Sequence, residues 1–82
     1  MWSEFIRVVR DSSADVIESV LREIGSENLR RIIELVIAGD SNVSSIAKKI
    51  GRSKGRVSQL AKRFLEVYHR MFGSESRVDK TE

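Results

Sequence analysis

The spacing of the apolar residues is the feature that most constrains how this chain can fold. Along most of its 82 residues the apolar side chains recur every three or four positions, and proline is absent. Valine and isoleucine are common in strands, but strands would need a repeat of two, whereas a repeat of three to four predicts amphipathic helices. The pattern therefore predicts an all-α fold, a compact bundle of four to five helices.

Five helical segments are predicted within a single domain that covers residues 1–72. They span residues 3–10, 13–24 and 26–38, the stretch between Asn42 and Gly51, and residues 54–72. The first three segments carry the apolar stripes Trp2, Phe5, Ile6, Val9, Val16, Ile17, Val20, Leu21, Ile24, Leu29, Ile32, Ile33, Val36 and Ile37. Residues 73–82 are almost entirely polar and are predicted to form a disordered tail, because they offer too little apolar surface to bury.

The charge of the chain is strongly polarised along the sequence. Residues 41–72 hold eight Lys and Arg against the single acid Glu66, a formal charge of +7. Residues 1–40 hold five basic and eight acidic residues, a formal charge of −3. Positive charge concentrated in one part of a small protein is the electrostatic signature of a phosphate-rich partner, although a solvated basic face would give the same count.

The basic region also contains the pattern of two short helices joined by a tight turn. Apolar residues occur at helical spacing on both sides of a polar run, at Ile46, Ala47, Ile50, Val57 and Leu60. Gly51 stands where the first helix must end, and glycine accepts the left-handed conformation found there. Asn42 and Ser53 each stand where a side-chain oxygen can cap the following helix. The small Ala47 allows the two helices to approach closely.

These residues resemble the helix-turn-helix family of DNA-binding domains over residues 42–63. The resemblance implies an all-helical type of the fold, because too little sequence follows residue 72 to build the β-hairpin of a winged type. It also implies that the second helix enters the major groove of double-stranded DNA and reads base edges near its N-terminus. An ordinary helical hairpin without a nucleic-acid role is the alternative.

The resemblance assigns individual residues to the DNA. The residues expected to reach base edges are Ser53, Lys54, Arg56, Ser58, Gln59 and Lys62. The residues expected to contact phosphates are Lys48, Lys49, Arg52 and Arg63. The amide of Gln59 is expected to read adenine, while Lys54 or Arg56 is expected to read guanine. Gly55 faces the same groove without a side chain, which weakens the case for tight sequence specificity.

The last predicted helix is longer than a groove requires, and its C-terminal half is apolar. In one interpretation, the N-terminal residues of the chain pack on this apolar half within the same chain. In the other, the N-terminal residues and the apolar half both contact a second subunit. A homodimer is expected, because helix-turn-helix proteins commonly bind two half-sites about one DNA turn apart. The expected interface residues are Trp2, Phe5, Val9, Phe64, Tyr68, Met71 and Phe72.

Composition argues against several other classes of protein. There is no cysteine and only one histidine, His69, so thiolate metal sites and paired-histidine sites are excluded. The glycines do not have the spacing of a phosphate-binding loop. Neither an enzyme nor a bound cofactor is therefore expected. No apolar run reaches the 18–20 residues of a membrane span, and no secretion signal is recognisable.

Three functions remain open at this stage. The first is a dimeric transcriptional regulator in the cytoplasm, whose small-molecule effector, if one exists, is unknown. The second is an architectural or plasmid-maintenance DNA-binding protein with low sequence preference. The third is a protein-interaction module that uses the acidic first half. The chain has a single Gln and two Asn among abundant Ile, Val, Arg and Glu, which suggests a thermophilic source.

Overall fold

Five α-helices account for nearly all of residues 1–73, the part of the chain that the computed structural model describes. They are α1 (Trp2–Asp11), α2 (Ala14–Ile24), α3 (Glu27–Ile37), α4 (Val43–Ile50) and α5 (Lys54–Met71). The described residues contain no strand. The predicted all-α bundle is therefore confirmed, and each helix boundary lies within two residues of its prediction.

Side-chain caps explain where four of the helices begin. Ser13, Ser26, Asn42 and Ser53 each accept a hydrogen bond from the backbone N–H three residues further on. Such a bond satisfies one of the amide groups that the first turn of a helix leaves without a partner. At the other ends of α2 and α4, Gly25 and Gly51 adopt the left-handed conformation, with φ of 71° and 72°.

Helix α5 is the centre of the bundle and packs against α1, α2, α3 and α4. The core draws on all five helices. Its largest fully buried side chains are Phe5, Phe64, Leu29, Ile32, Ile33 and Ile46. Each such side chain contributes about 1.5–3 kcal/mol when it is removed from water, which is why so short a chain can hold five helices together.

Two predictions about single residues are wrong. Ile37 was expected in the core but is 60% exposed. It is the last residue of α3 and lies at the rim of a shallow groove beside Val9 and Ile17, where no element of residues 1–73 covers it. Phe72 was expected in the last helix, but α5 ends at Met71 and Phe72 is its C-cap.

The end of α5 is closed by local backbone hydrogen bonds. The Gly73 N–H donates to the carbonyl of His69 at 3.1 Å, and the Phe72 N–H donates to that of Tyr68 at 2.8 Å. The disordered tail predicted from residue 73 lies, apart from Gly73, outside the described residues.

Candidate nucleic-acid interface

Helices α4 and α5 and the turn between them form a rigid two-helix unit. The apolar residues predicted to fill the angle between the helices are all at most 6% exposed: Ile46, Ala47, Ile50, Val57 and Leu60. The turn is closed by the Arg52 N–H, which donates to the carbonyl of Ala47 at 3.0 Å. The start of α5 is therefore fixed relative to α4 by packing and by backbone hydrogen bonds.

The side chains expected to reach base edges lie at or near the start of α5, and most of them are exposed. Lys54, Arg56, Gln59 and Lys62 are exposed, whereas Ser58 is half-buried. Ser53 is exposed but caps α5, since its Oγ accepts from the Arg56 N–H at 3.1 Å. The fold thus gives Ser53 a structural role that does not depend on a partner.

A shallow groove brings several of these residues together along one side of α5. It is lined by Arg56, Gln59, Leu60, Lys62, Arg63 and Glu66. Within it, the Arg56 Nη1 donates to the Gln59 Oε1 at 3.4 Å. The Arg63 Nη1 lies 3.9 Å from the Glu66 Oε1. The groove is therefore basic along most of its length and meets its first acid at Glu66.

The residues expected to contact phosphates are not equivalent in the structure. Lys48 and Arg52 are exposed, and neither has a carboxylate within 4.0 Å among residues 1–73. Lys49, in contrast, places its Nζ 2.9 Å from the Oδ2 of Asp40. The charge of Lys49 is thus partly neutralised within the chain, which makes it a weaker candidate for a phosphate contact than Lys48.

Asp40 organises the start of α4, and the sequence pattern alone did not reveal this role. Its Oδ1 accepts from the Asn42 N–H at 3.0 Å, and its Oδ2 accepts from the Ser45 hydroxyl at 2.7 Å. Hydrogen bonds from Ser45, Lys49 and Asn42, in that order of size, lower the pKa of Asp40 from 3.8 to about 2. An acid two residues before an asparagine cap was the available signal, because Asp and Asn favour such local bonds.

The expected dimer residues divide into two groups. Phe5, Val9 and Phe64 are at most 1% exposed within a single chain, so their side chains cannot contact a second subunit. Phe5 packs edge-on against Phe64 with ring centroids 5.5 Å apart. For these three residues the alternative of packing within one chain is correct. The physical reason is that α1 packs on α5 and covers the apolar face of α5 that was expected to contact a second subunit.

The remaining expected dimer residues stay accessible. Met71 and Phe72 are 41% and 42% exposed. Trp2 and Tyr68 are half-buried, and the Trp2 Nε1 donates to the carbonyl of Ser41 at 2.9 Å. The Tyr68 and Phe72 rings lie 5.9 Å apart, so the aromatic packing of the core continues to the surface at the end of α5.

His69 ties α5 to α1 and does not belong to the groove. Its Nε2 lies 3.0 Å from the Glu4 Oε2, while its Nδ1 is buried and has no hydrogen-bond partner among the described residues. Within residues 1–73, no three His, Asp or Glu side chains cluster in a way that would ligate a metal ion. In the same part of the chain, no helix has the length and apolar content to cross a bilayer.

The fold and this surface define a small all-helical protein with a basic two-helix unit. No family model, no curated protein and no solved structure matches the chain.

Proposed function

We propose that this protein binds double-stranded DNA by inserting the N-terminal half of α5 into the major groove, and that it acts as a dimeric transcriptional regulator. One observation carries the proposal. The cations Lys48, Arg52, Lys54, Arg56 and Lys62 are exposed on α4, the turn and α5, and none has a carboxylate within 4.0 Å among residues 1–73.

Two arginines elsewhere in the fold serve as the contrast, whereas Arg7, Arg10 and Arg31, which are spread over α1 and α3, also have no carboxylate within 4.0 Å among residues 1–73. Arg30 forms two 3.0 Å hydrogen bonds with Glu18, and Arg70 lies 3.4 Å from Glu23. The bundle therefore pairs charges where α2 and α3 meet and where α2 meets the end of α5. What distinguishes the start of α5 is that five cations without a carboxylate within 4.0 Å among residues 1–73 are grouped on α4, the turn and α5, where a polyanion would complete the missing ion pairs and release bound counterions.

The shape of the unit fits a groove. Helix α5 has 18 residues, a length of about 27 Å at 1.5 Å per residue. Its last turns are held by α1 and α2, through the Glu4–His69 and Glu23–Arg70 contacts. Its first turns carry exposed polar residues, and an α-helix matches the width of the major groove.

Fluorescence anisotropy across a salt series tests the proposal. The probes are a duplex from upstream of the protein's own gene and a scrambled duplex. We expect at least about hundredfold tighter binding to the first, within typical specificity ratios. Equal, salt-sensitive binding to both would replace the regulator with an architectural DNA-binding protein. Absence of binding to either at low salt would refute the DNA proposal and favour a protein-interaction module.

A comparison of two variants tests whether DNA binds to α5. Arg63→Ala should weaken binding to both duplexes and reduce the slope of log K against log salt concentration by about 1, because one phosphate contact is lost. Arg22→Ala is the matched control, since Arg22 is exposed on α2 beside Glu18. An equal effect of the two variants would mean that binding does not use α5.

We further propose that a second copy of the chain packs on Met71 and Phe72, with Tyr68 and Trp2 at the edge of the contact. Joining two copies at this end of α5 leaves both N-terminal halves of α5 free for half-sites about 34 Å apart. Phe72→Ser should convert a dimer into a monomer in sedimentation analysis, whereas Ile37→Ser, which removes an exposed isoleucine from α3, should not. A wild-type monomer at micromolar concentration would refute the dimer.

Two broader expectations accompany this proposal. A DNA regulator of this kind acts in the cytoplasm, where chromosomal DNA lies. A thermophilic source predicts a thermal midpoint above about 60 °C, the upper part of the mesophile range.

A further inference from the structure

We propose that Arg56 and Gln59 act as one coupled reader that selects guanine, with Arg56 suppressing the ability of Gln59 to select adenine. The inference rests on the proposed function, because it assumes that the start of α5 lies in the major groove. It replaces the expectation, drawn from the residue type alone, that Gln59 reads adenine.

The contact between the two side chains favours one orientation of the Gln59 amide. The Arg56 Nη1 lies 3.4 Å from the Gln59 Oε1, one turn along the same exposed face of α5. A guanidinium has five N–H donors and no acceptor, so the atom that faces it must be the amide oxygen. The NH2 group of Gln59 then has no contact with Arg56 and can donate to a partner.

The surface around this pair is also poor in acceptors. Ser53 directs its hydroxyl oxygen to the backbone N–H of Arg56 at 3.1 Å. The exposed side chains of Arg52, Lys54, Lys62 and Arg63 carry donors only. Along α5 the first carboxylate is that of Glu66, which lies 3.9 Å from Arg63. Apart from the half-buried hydroxyl of Ser58, this face therefore offers donors to whatever it meets.

Donors alone distinguish the bases. In the major groove guanine presents two acceptors, N7 and O6, whereas adenine presents the acceptor N7 and the donor N6. A glutamine selects adenine only when its own oxygen accepts from N6. In this chain Arg56 engages one of the two lone pairs of that oxygen, and the positive guanidinium beside it opposes the approach of the N6 donor. Arg56 and the Gln59 NH2 group together match N7 and O6, and a matched pair of this kind gives about tenfold to hundredfold discrimination.

Selection of duplexes from a randomised library tests the coupling. Wild-type protein should enrich guanine at the position that α5 reads. Arg56→Ala should shift that position from guanine to adenine, because the Gln59 oxygen is released, while Gln59→Ala should retain guanine with weaker preference. Arg63→Ala is the control on the same side of α5, and it should weaken all duplexes without changing the selected base. All three residues are exposed, and circular dichroism verifies that each variant folds.

The outcomes separate this inference from the proposed function. If wild-type protein enriches a fixed sequence but Arg56→Ala selects the same base, the coupling is wrong while the DNA-binding function stands. The coupling is also wrong, and the DNA-binding function again stands, if the wild type binds DNA but enriches adenine or no base at this position. If the wild type shows no salt-dependent binding to any duplex, the proposed function fails and the base preference fails with it.

Discussion

Alanine substitution at two glycines four residues apart should change stability in opposite directions. Gly55 lies in the first turn of α5 with ordinary helical φ, and an added Cβ would meet only the Ser53 Oγ, at 3.9 Å. Neither conformation nor packing therefore requires glycine there. Gly51 has φ of 72°, in the left-handed region, so its conformation does require glycine although the space around it is open.

The magnitudes follow from these two environments. Gly55→Ala should raise the free energy of unfolding by about 0.4–1 kcal/mol, because alanine restricts the unfolded chain and favours a helix. Gly51→Ala should lower it by about 1–2 kcal/mol, the cost of left-handed backbone for a residue with a Cβ. In a domain of this size 1 kcal/mol corresponds to about 4–8 °C in Tm.

Thermal and urea unfolding, followed by far-UV circular dichroism, measure both variants against the wild type. A loss of stability in Gly55→Ala, or none in Gly51→Ala, would refute the assignment of the turn and of the start of α5. The same proteins also test the interface. Folding does not require glycine at position 55, but a close approach of DNA to the backbone of α5 would explain why a glycine is found there. Gly55→Ala should therefore bind DNA more weakly despite its greater stability.

Two further predictions concern the stability of the fold at acidic pH and the packing of its core. The folded pKa of Asp40, about 2, lies below its ordinary value of 3.8, so its stabilising effect is complete above about pH 4 and is lost as pH falls to about 2. Asp40→Asn should therefore flatten the decline of urea midpoints over this range, and an unchanged decline would contradict the Asp40 network. Phe64→Ala should cost about 3–5 kcal/mol, because a fully buried ring is removed from between Phe5 and Tyr68. Ile37→Ala, at a site 60% exposed, should change the free energy of unfolding by only about 0.5 kcal/mol, and equal losses in the two variants would contradict the packing described.

The helices and their boundaries were predictable because their determinants are local. A cap such as Ser53 bonds to an N–H only three residues away, and Gly51 ends α4 through its own backbone conformation. The repeat of three to four residues likewise reports a periodicity that belongs to each helix alone. The concentration of positive charge in residues 41–72 could also be predicted, because it depends only on which residues this segment contains.

What the sequence by itself determined is thus the set of five helices, the two-helix unit and the basic region that marks the candidate interface. Only the tertiary structure decided which apolar residues are covered. Phe5, Val9 and Phe64 are buried because α1 lies on α5, while Ile37 carries the same apolar character but ends α3 at an open rim. The tertiary structure also decided that Lys49 forms an ion pair with Asp40, which lies in the turn before α4, whereas Lys48 does not. Burial and ion pairing depend on which elements meet in space, and helical periodicity defines a face of each helix without specifying its neighbour.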